Sequence, residues 1–314
     1  NEQKIDIDIL YDMTLSAHLN ESWELLESRS ILLIEYGTEK YKEWARNLYI
    51  EALFNQNKFI EFFSSLESNC VISEQERYWK ARVAFATAHW QESINLFKAI
   101  SISNSRILFM LLFSYAETGD FSGFDEVQKQ LKKMELNEVQ EVFVKVCSLR
   151  IDERWNDIIN LLEENLCKFT TQELRNYQPQ VLLAKAYRYL KDYTKSHEHL
   201  VNFEAHTANN IRCRIEIAKL AYARDNYKKC IAQYDEAVNG AISILPEAEI
   251  LEYILSQWHM TDIEELIDEL PGFIELYPNN MEFRELYFLA LAEQSRWLDI
   301  LEQSSELSQE HQKN

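Results

Sequence analysis

Glycine and proline are scarce, at five and four residues in a chain of 314. Average use would be roughly 7% and 5%. Phosphate-binding loops and tight hairpins need more glycine than this, because glycine alone enters positive φ without steric cost. The sequence contains no G-x-G-x-x-G, no G-x-x-x-x-G-K-[ST] and no G-x-S-x-G, so neither a nucleotide-cradling loop nor a nucleophile elbow is expected. Long apolar runs are missing as well. The longest extends from Ile107 to Phe113, far short of the roughly 20 residues of a membrane-spanning helix. The opening residues Asn1-Glu2-Gln3-Lys4-Ile5-Asp6 hold no basic stretch leading into an apolar one, and no starting Met. That pattern is compatible with a segment of a longer protein or with a processed product.

Metal and redox chemistry are also thinly represented. The five cysteines (Cys70, Cys147, Cys167, Cys213 and Cys230) are odd in number, widely spaced and never in a C-x-x-C pair. A disulfide framework and a thiolate zinc site are therefore not expected, and the setting reads as reducing and cytoplasmic. His197 and His199, two residues apart on a helix, would point to nearly opposite sides and could not share a metal; His206 stands downstream, outside the pair. Glu264, Glu265, Asp268 and Glu269 bring like charges together at i, i+4 and read as a solvated acidic face. No catalytic constellation emerges, so the chain is read as no enzyme, with no cofactor and no metal.

What the sequence does hold is apolar content of 46%, aromatic content of 12% and a repeat. A helix-period stretch, a short polar break and a large apolar residue recur. The residue after the break falls at Phe59, Trp90, Phe121, Trp155, Tyr193, Tyr227, Ile263 and Trp297, at intervals of 31, 31, 34, 38, 34, 36 and 34. Trp23 marks one further unit. Small residues recur eight positions into the first helix and twelve later, as Ala81 with Ser93, Ala184 with Ser196 and Ala218 with Cys230. Such pairs let two helices cross closely.

A helix-turn-helix period near 34 residues with these small positions resembles the tetratricopeptide repeat (TPR). The expected fold is all-α, a right-handed superhelical solenoid of about nine TPR-like helix pairs. Residues 1–40 are expected to form a looser capping unit, 41–305 the solenoid and 306–314 a polar tail. Pro271-Gly272 is expected to end or kink its helix. Tyr49-Ile50-Glu51-Ala52-Leu53-Phe54 and His259-Met260-Thr261 are also similar to stretches of TPR subunits of the anaphase-promoting complex; such phrases recur across unrelated TPR arrays.

The resemblance implies an inner groove lined by the first helix of each pair, holding a peptide or helical segment of a partner. The positions that face it in the family carry Tyr78, Trp79, Arg82 and Phe85, then Arg106, Phe109 and Phe113, then Arg150, then Lys185, Arg188 and Tyr189, and finally Arg212, Lys219 and Tyr222. The Lys and Asn residues of the family's carboxylate clamp are not matched, which argues against a chaperone-tail receptor. Net charge is −20, with residues 168–230 at 12 − 6 = +6 and residues 247–310 at 2 − 16 = −14. An aromatic and basic inner face in an acidic protein suits an acidic or amphipathic protein segment. The alternatives are a peptide-sensing regulator or a regulatory module of a larger assembly or enzyme. Single-stranded nucleic acid ranks below these, because the net charge repels phosphate. Contact between the basic and acidic stretches of two copies would give self-association.

Overall fold

A computed structural model describes residues 6–66, 73–101, 104–205, 207, 210–260 and 263–301. Cys70, His206, Thr261, His311 and the tail 306–314 lie outside the described residues. Helices follow one another in pairs: α1 (Ile7–Leu19) with α2 (Trp23–Tyr36), α3 (Glu39–Asn55) with α4 (Phe59–Leu66), and α5 (Glu74–Ala86) with α6 (Trp90–Lys98). Next come α7 (Ser105–Thr118) with α8 (Phe121–Leu131) and α9 (Glu138–Ile151) with α10 (Trp155–Asn165). The short α11 (Thr171–Tyr177) precedes α12 (Pro179–Tyr189) with α13 (Tyr193–Glu204). The array continues as α14 (Ile211–Tyr222) with α15 (Tyr227–Val238) and α16 (Glu247–Met260) with α17 (Ile263–Leu276). α18 (Met281–Glu293) opens a ninth pair, answered by a helical stretch at 297–301. No strand occurs among the described residues. The insertion of α11 accounts for the longest interval in the repeat, 38 residues between Trp155 and Tyr193.

Each landmark residue opens the second helix of its pair, and one turn recurs before all of them but Ile263, whose two preceding residues lie outside those described. Two residues ahead stands a residue at positive φ: Glu21, Asn57, Ala88, Gly119, Glu153, Lys191, Asp225 and Ser295. Gly119 is the sole glycine in that series, so the other turns hold a side chain in the left-handed region, at roughly 1–2 kcal/mol each. The close helix contacts on either side over-determine the turn and hold it there. Glu153→Gly should therefore raise stability by about 1 kcal/mol, read as a shift of the denaturant midpoint; a lower midpoint would contradict this account of the turn. Caps fix the helix starts. Asp120, Asp192 and Asn226 accept from the backbone N–H groups of Gly123, Lys195 and Lys229. Capping boxes start α5, α9 and α11.

The small pairs Ala81/Ser93, Ala184/Ser196 and Ala218/Cys230 are all fully buried, as close crossings require. Ala184→Phe or Ala218→Phe should overpack these crossings and cost about 1–3 kcal/mol; an unchanged denaturant midpoint in both would refute the register. Bulky pairs such as Leu112/Phe124 and Val146/Ile158 are buried too, so those crossings hold larger side chains. Of the two outcomes expected at Pro271, the ending does not occur: α17 runs through it. Leu266, Ile267, Leu270 and Phe273 are buried on both sides of the proline, and that packing offsets the lost backbone hydrogen bond.

A solenoid of this kind is expected to make only nearest-neighbour contacts. Here the array winds back on itself. One apolar cluster unites Ile50, Phe59, Phe62 and Trp79 with Ile211, Tyr234, Ile250 and Phe273. Arg175 of α11 donates to Glu21, 154 residues earlier, at 3.0 Å. The inner face is consequently narrow, and its side chains meet across it.

Candidate partner-binding groove

The groove positions lie on α5, α7, α9, α12 and α14, the first helices of successive pairs, and the winding brings them round a common interior. Trp79, Phe109 and Phe113 are buried; Tyr78, Arg82, Phe85, Arg150, Lys185, Arg188, Arg212, Lys219 and Tyr222 are partly buried; Arg106 and Tyr189 are exposed. Phe85, Phe109 and Phe113 share one network of ring contacts. Phe113 meets Phe85, Trp90 and Phe143 at centroid distances of 5.8, 5.5 and 6.0 Å, and Phe109 meets Phe143 and Tyr177 at 6.0 and 5.5 Å. Tyr189 stacks on Trp155 at 4.2 Å. Trp79 packs on Phe54 at 5.5 Å. Trp258 of α16 is partly buried against the apolar clusters of the C-terminal units.

The cations do not stand alone. Glu117, at the end of α7, sits between Arg150 Nη2 at 3.1 Å and Lys185 Nζ at 2.7 Å. Arg188 Nε lies 2.5 Å from Glu216 Oε1, and Lys219 Nζ lies 2.5 Å from Glu249 Oε1. Burial alone would raise the Glu117 carboxyl, but the charges and hydrogen bonds of Lys185 and Arg150 outweigh it and hold it at about 2. Burial pulls the Lys185 ammonium below its ordinary range against the pull of Glu117. The asymmetry follows from one carboxylate serving two cations. These three glutamates were not singled out from the sequence. Glu117 and Glu216 occupy the thirteenth and sixth positions of their helices, both groove-facing in the family; that register was the signal that could have found them.

Two cations stand on aromatic faces instead. The Arg212 guanidinium lies 4.3 Å from the Phe113 ring centroid, 5.2 Å from Phe85 and 5.6 Å from Trp90. Arg82 lies 4.4 Å from Phe54 and 4.7 Å from Trp79. Neither forms an ion pair among the described residues. Burial lowers both guanidinium groups to about 10, with Arg106 adding to the effect at Arg82 and Glu117 opposing it at Arg212. Stacking on ring faces compensates a desolvated cation by about 2 kcal/mol or more, but it brings no opposite charge to it. Beside Arg212, between Trp90, Lys185, Glu216, Lys219 and Glu249, lies a cavity of ≈ 60 Å³. It has room for a small polar group.

His199 stacks on Tyr187 at 5.6 Å. No cluster of three or more candidate ligands occurs among the described residues. Among those residues no helix is long and apolar enough to cross a membrane. Cys147, Cys213 and Cys230 are buried free thiols, and Cys167 is exposed.

No family model matches the sequence, and none of the curated proteins does. Among solved structures, a chain in the crystal structure of the APC/C hetero-tetramer Cut9-Hcn1 is similar, with a TM-score of 0.42 and 13% identity. The match covers 90% of this chain and 63% of that one, so this chain spans less than two thirds of its length.

Proposed function

We propose that the chain is a non-catalytic scaffold that binds a protein partner through an acidic, apolar-anchored segment entering the inner face. The observation that supports it is Arg212: a largely desolvated cation stacked on three rings, with no carboxylate partner, beside a cavity with room for a small polar group. An incoming Asp or Glu would complete what the chain itself leaves open. Of the seven cations on this face, Arg150, Lys185, Arg188 and Lys219 are already paired internally. They therefore hold the frame, while Arg82, Arg106 and Arg212 remain for the partner. The partly buried Phe85 and Tyr222 and the exposed Tyr189 would supply apolar contacts at the groove's edge, and aromatic residues with arginine are the types that concentrate binding energy.

Selection of displayed random peptides against the full chain tests this. Enriched peptides should carry Asp or Glu next to large apolar residues. They should bind Arg212→Met at least tenfold more weakly, about 1.4 kcal/mol, with an unchanged melting temperature. Their affinity should fall with added salt, as charge-guided contacts do. Enrichment of peptides without acids, or full-strength binding by Arg212→Met, would overturn the reading.

A further inference from the structure

A second cavity, of ≈ 520 Å³, opens where the array closes on itself. Phe59, Ile60 and Phe63 of α4 form one wall; the 240–244 loop, Tyr253 and Phe273 form the other, with Asp235 and Glu269 alongside. Its volume lies within the range of roughly 300–1,000 Å³ typical of ligand pockets. The floor is apolar and closed, since Phe59 and Phe273 are buried. The rim is apolar and open, with Ile60 63% exposed.

Polarity distinguishes this cavity from the groove. No Lys, Arg or His is among its lining residues. Asp235 Oδ1 accepts from the Tyr253 hydroxyl at 3.4 Å, and Glu269 Oε2 accepts from the Gln257 amide at 3.4 Å. Both hydrogen bonds are long, and neither brings a positive charge. Burial raises both carboxyls above their ordinary values, the Tyr253 bond opposing it at Asp235 and the Gln257 bond at Glu269. Asp235 is half-buried and Glu269 exposed at the rim, and two carboxylates without a cation beside a phenylalanine-rich wall are complementary to one kind of visitor.

We infer that this cavity binds an organic cation carried on an apolar body, its ammonium between Asp235 and Glu269 and its apolar part against Phe59, Phe63 and Phe273. A free arylalkylamine and a lysine flanked by apolar residues in a peptide share that chemistry. Because α4 belongs to the second helix pair and residues 240–244 join the seventh pair to the eighth, an occupant would tie the closure together. This site does not depend on the inner groove, which takes the opposite charge.

Calorimetric titration of the full chain with 4-phenylbutylamine tests the inference. Saturable binding is expected with a dissociation constant below about 1 mM, together with a rise in melting temperature. The uncharged 4-phenylbutanol should bind at least tenfold more weakly, and the double variant Asp235→Asn/Glu269→Gln should lose the difference between amine and alcohol. That variant keeps the size of both side chains and removes two like charges, so its fold should survive, which its own melting curve checks. Arg212→Met should bind the amine as the unmodified chain does, separating this site from the groove. In a second arm, acetyl-Phe-Lys-Leu-amide binding more tightly than the amine would identify a protein segment as the source. Equal binding of amine and alcohol, an undiminished preference in the double variant, or no binding up to about 5 mM would overturn the inference.

Discussion

Glu117→Gln should destabilise the chain by about 3–5 kcal/mol, the range seen when one partner of a buried ion pair is removed. The side chain of Glu117 is 3% exposed and serves both Arg150 and Lys185. The neutral amide would leave two cations facing each other in the interior. Denaturant midpoints measure the loss, and Glu117→Gln/Lys185→Met should recover part of it by removing one uncompensated charge. The same residue sets an acid limit. Its folded-state value is about 2 against an ordinary 4.5. A lowered carboxyl value means that its contribution is fully present above 4.5 and is lost as pH falls from there toward about 2. Unfolding followed between pH 6 and pH 2 should show a steep loss in that window, and Glu117→Gln should flatten it. Equal acid sensitivity in both proteins would show that other carboxylates govern acid unfolding.

Phe113→Ala should also cost about 3–5 kcal/mol, because it empties the centre of a packed ring system. Phe113 is 1% exposed and touches Phe85, Trp90 and Phe143 from three sides. It also carries the Arg212 guanidinium on its face, so stability and partner binding should fall together. Tyr189→Ala offers the contrast. Tyr189 is 49% exposed and rests on Trp155 alone among the rings. Its truncation should cost under about 1.5 kcal/mol in stability while weakening partner binding. Thermal melts beside affinities for both variants separate core from contact. A small stability loss in Phe113→Ala would show that the interior is looser than this packing implies.

These contrasts show which features the sequence made legible. Helix register was readable because the landmark aromatic, the cap before it and the small pairs are local signals repeated through the chain. Tyr193, Asp192, Ala184 and Ser196 are enough to place α12 and α13. The ion pairs were hidden because their partners lie one or two repeats apart. Glu117 meets Arg150 at a separation of 33 residues and Lys185 at 68, so a carboxylate count along the sequence cannot assign them. Closure of the array was hidden for a related reason: it depends on small rotations summed over many pairs. Phe59 carries no mark saying that Ala241 will stand across a cavity from it. At Pro271 the local tendency of proline to end a helix gives way to burial on both sides of it.

Site-specific photo-crosslinking tests the inner face as the docking surface most directly. A benzophenone side chain would replace Tyr189 at the groove's edge in one protein and Val201 in another. Val201 is 49% exposed on α13, the second helix of its pair. Both proteins would be irradiated in cell extract and the crosslinked peptides sequenced by mass spectrometry. Crosslinks from position 189 to acidic, apolar-anchored segments, lost in Arg212→Met and absent from position 201, are the expected result. Crosslinks from position 201 alone, or from position 189 to segments without carboxylates, would contradict it.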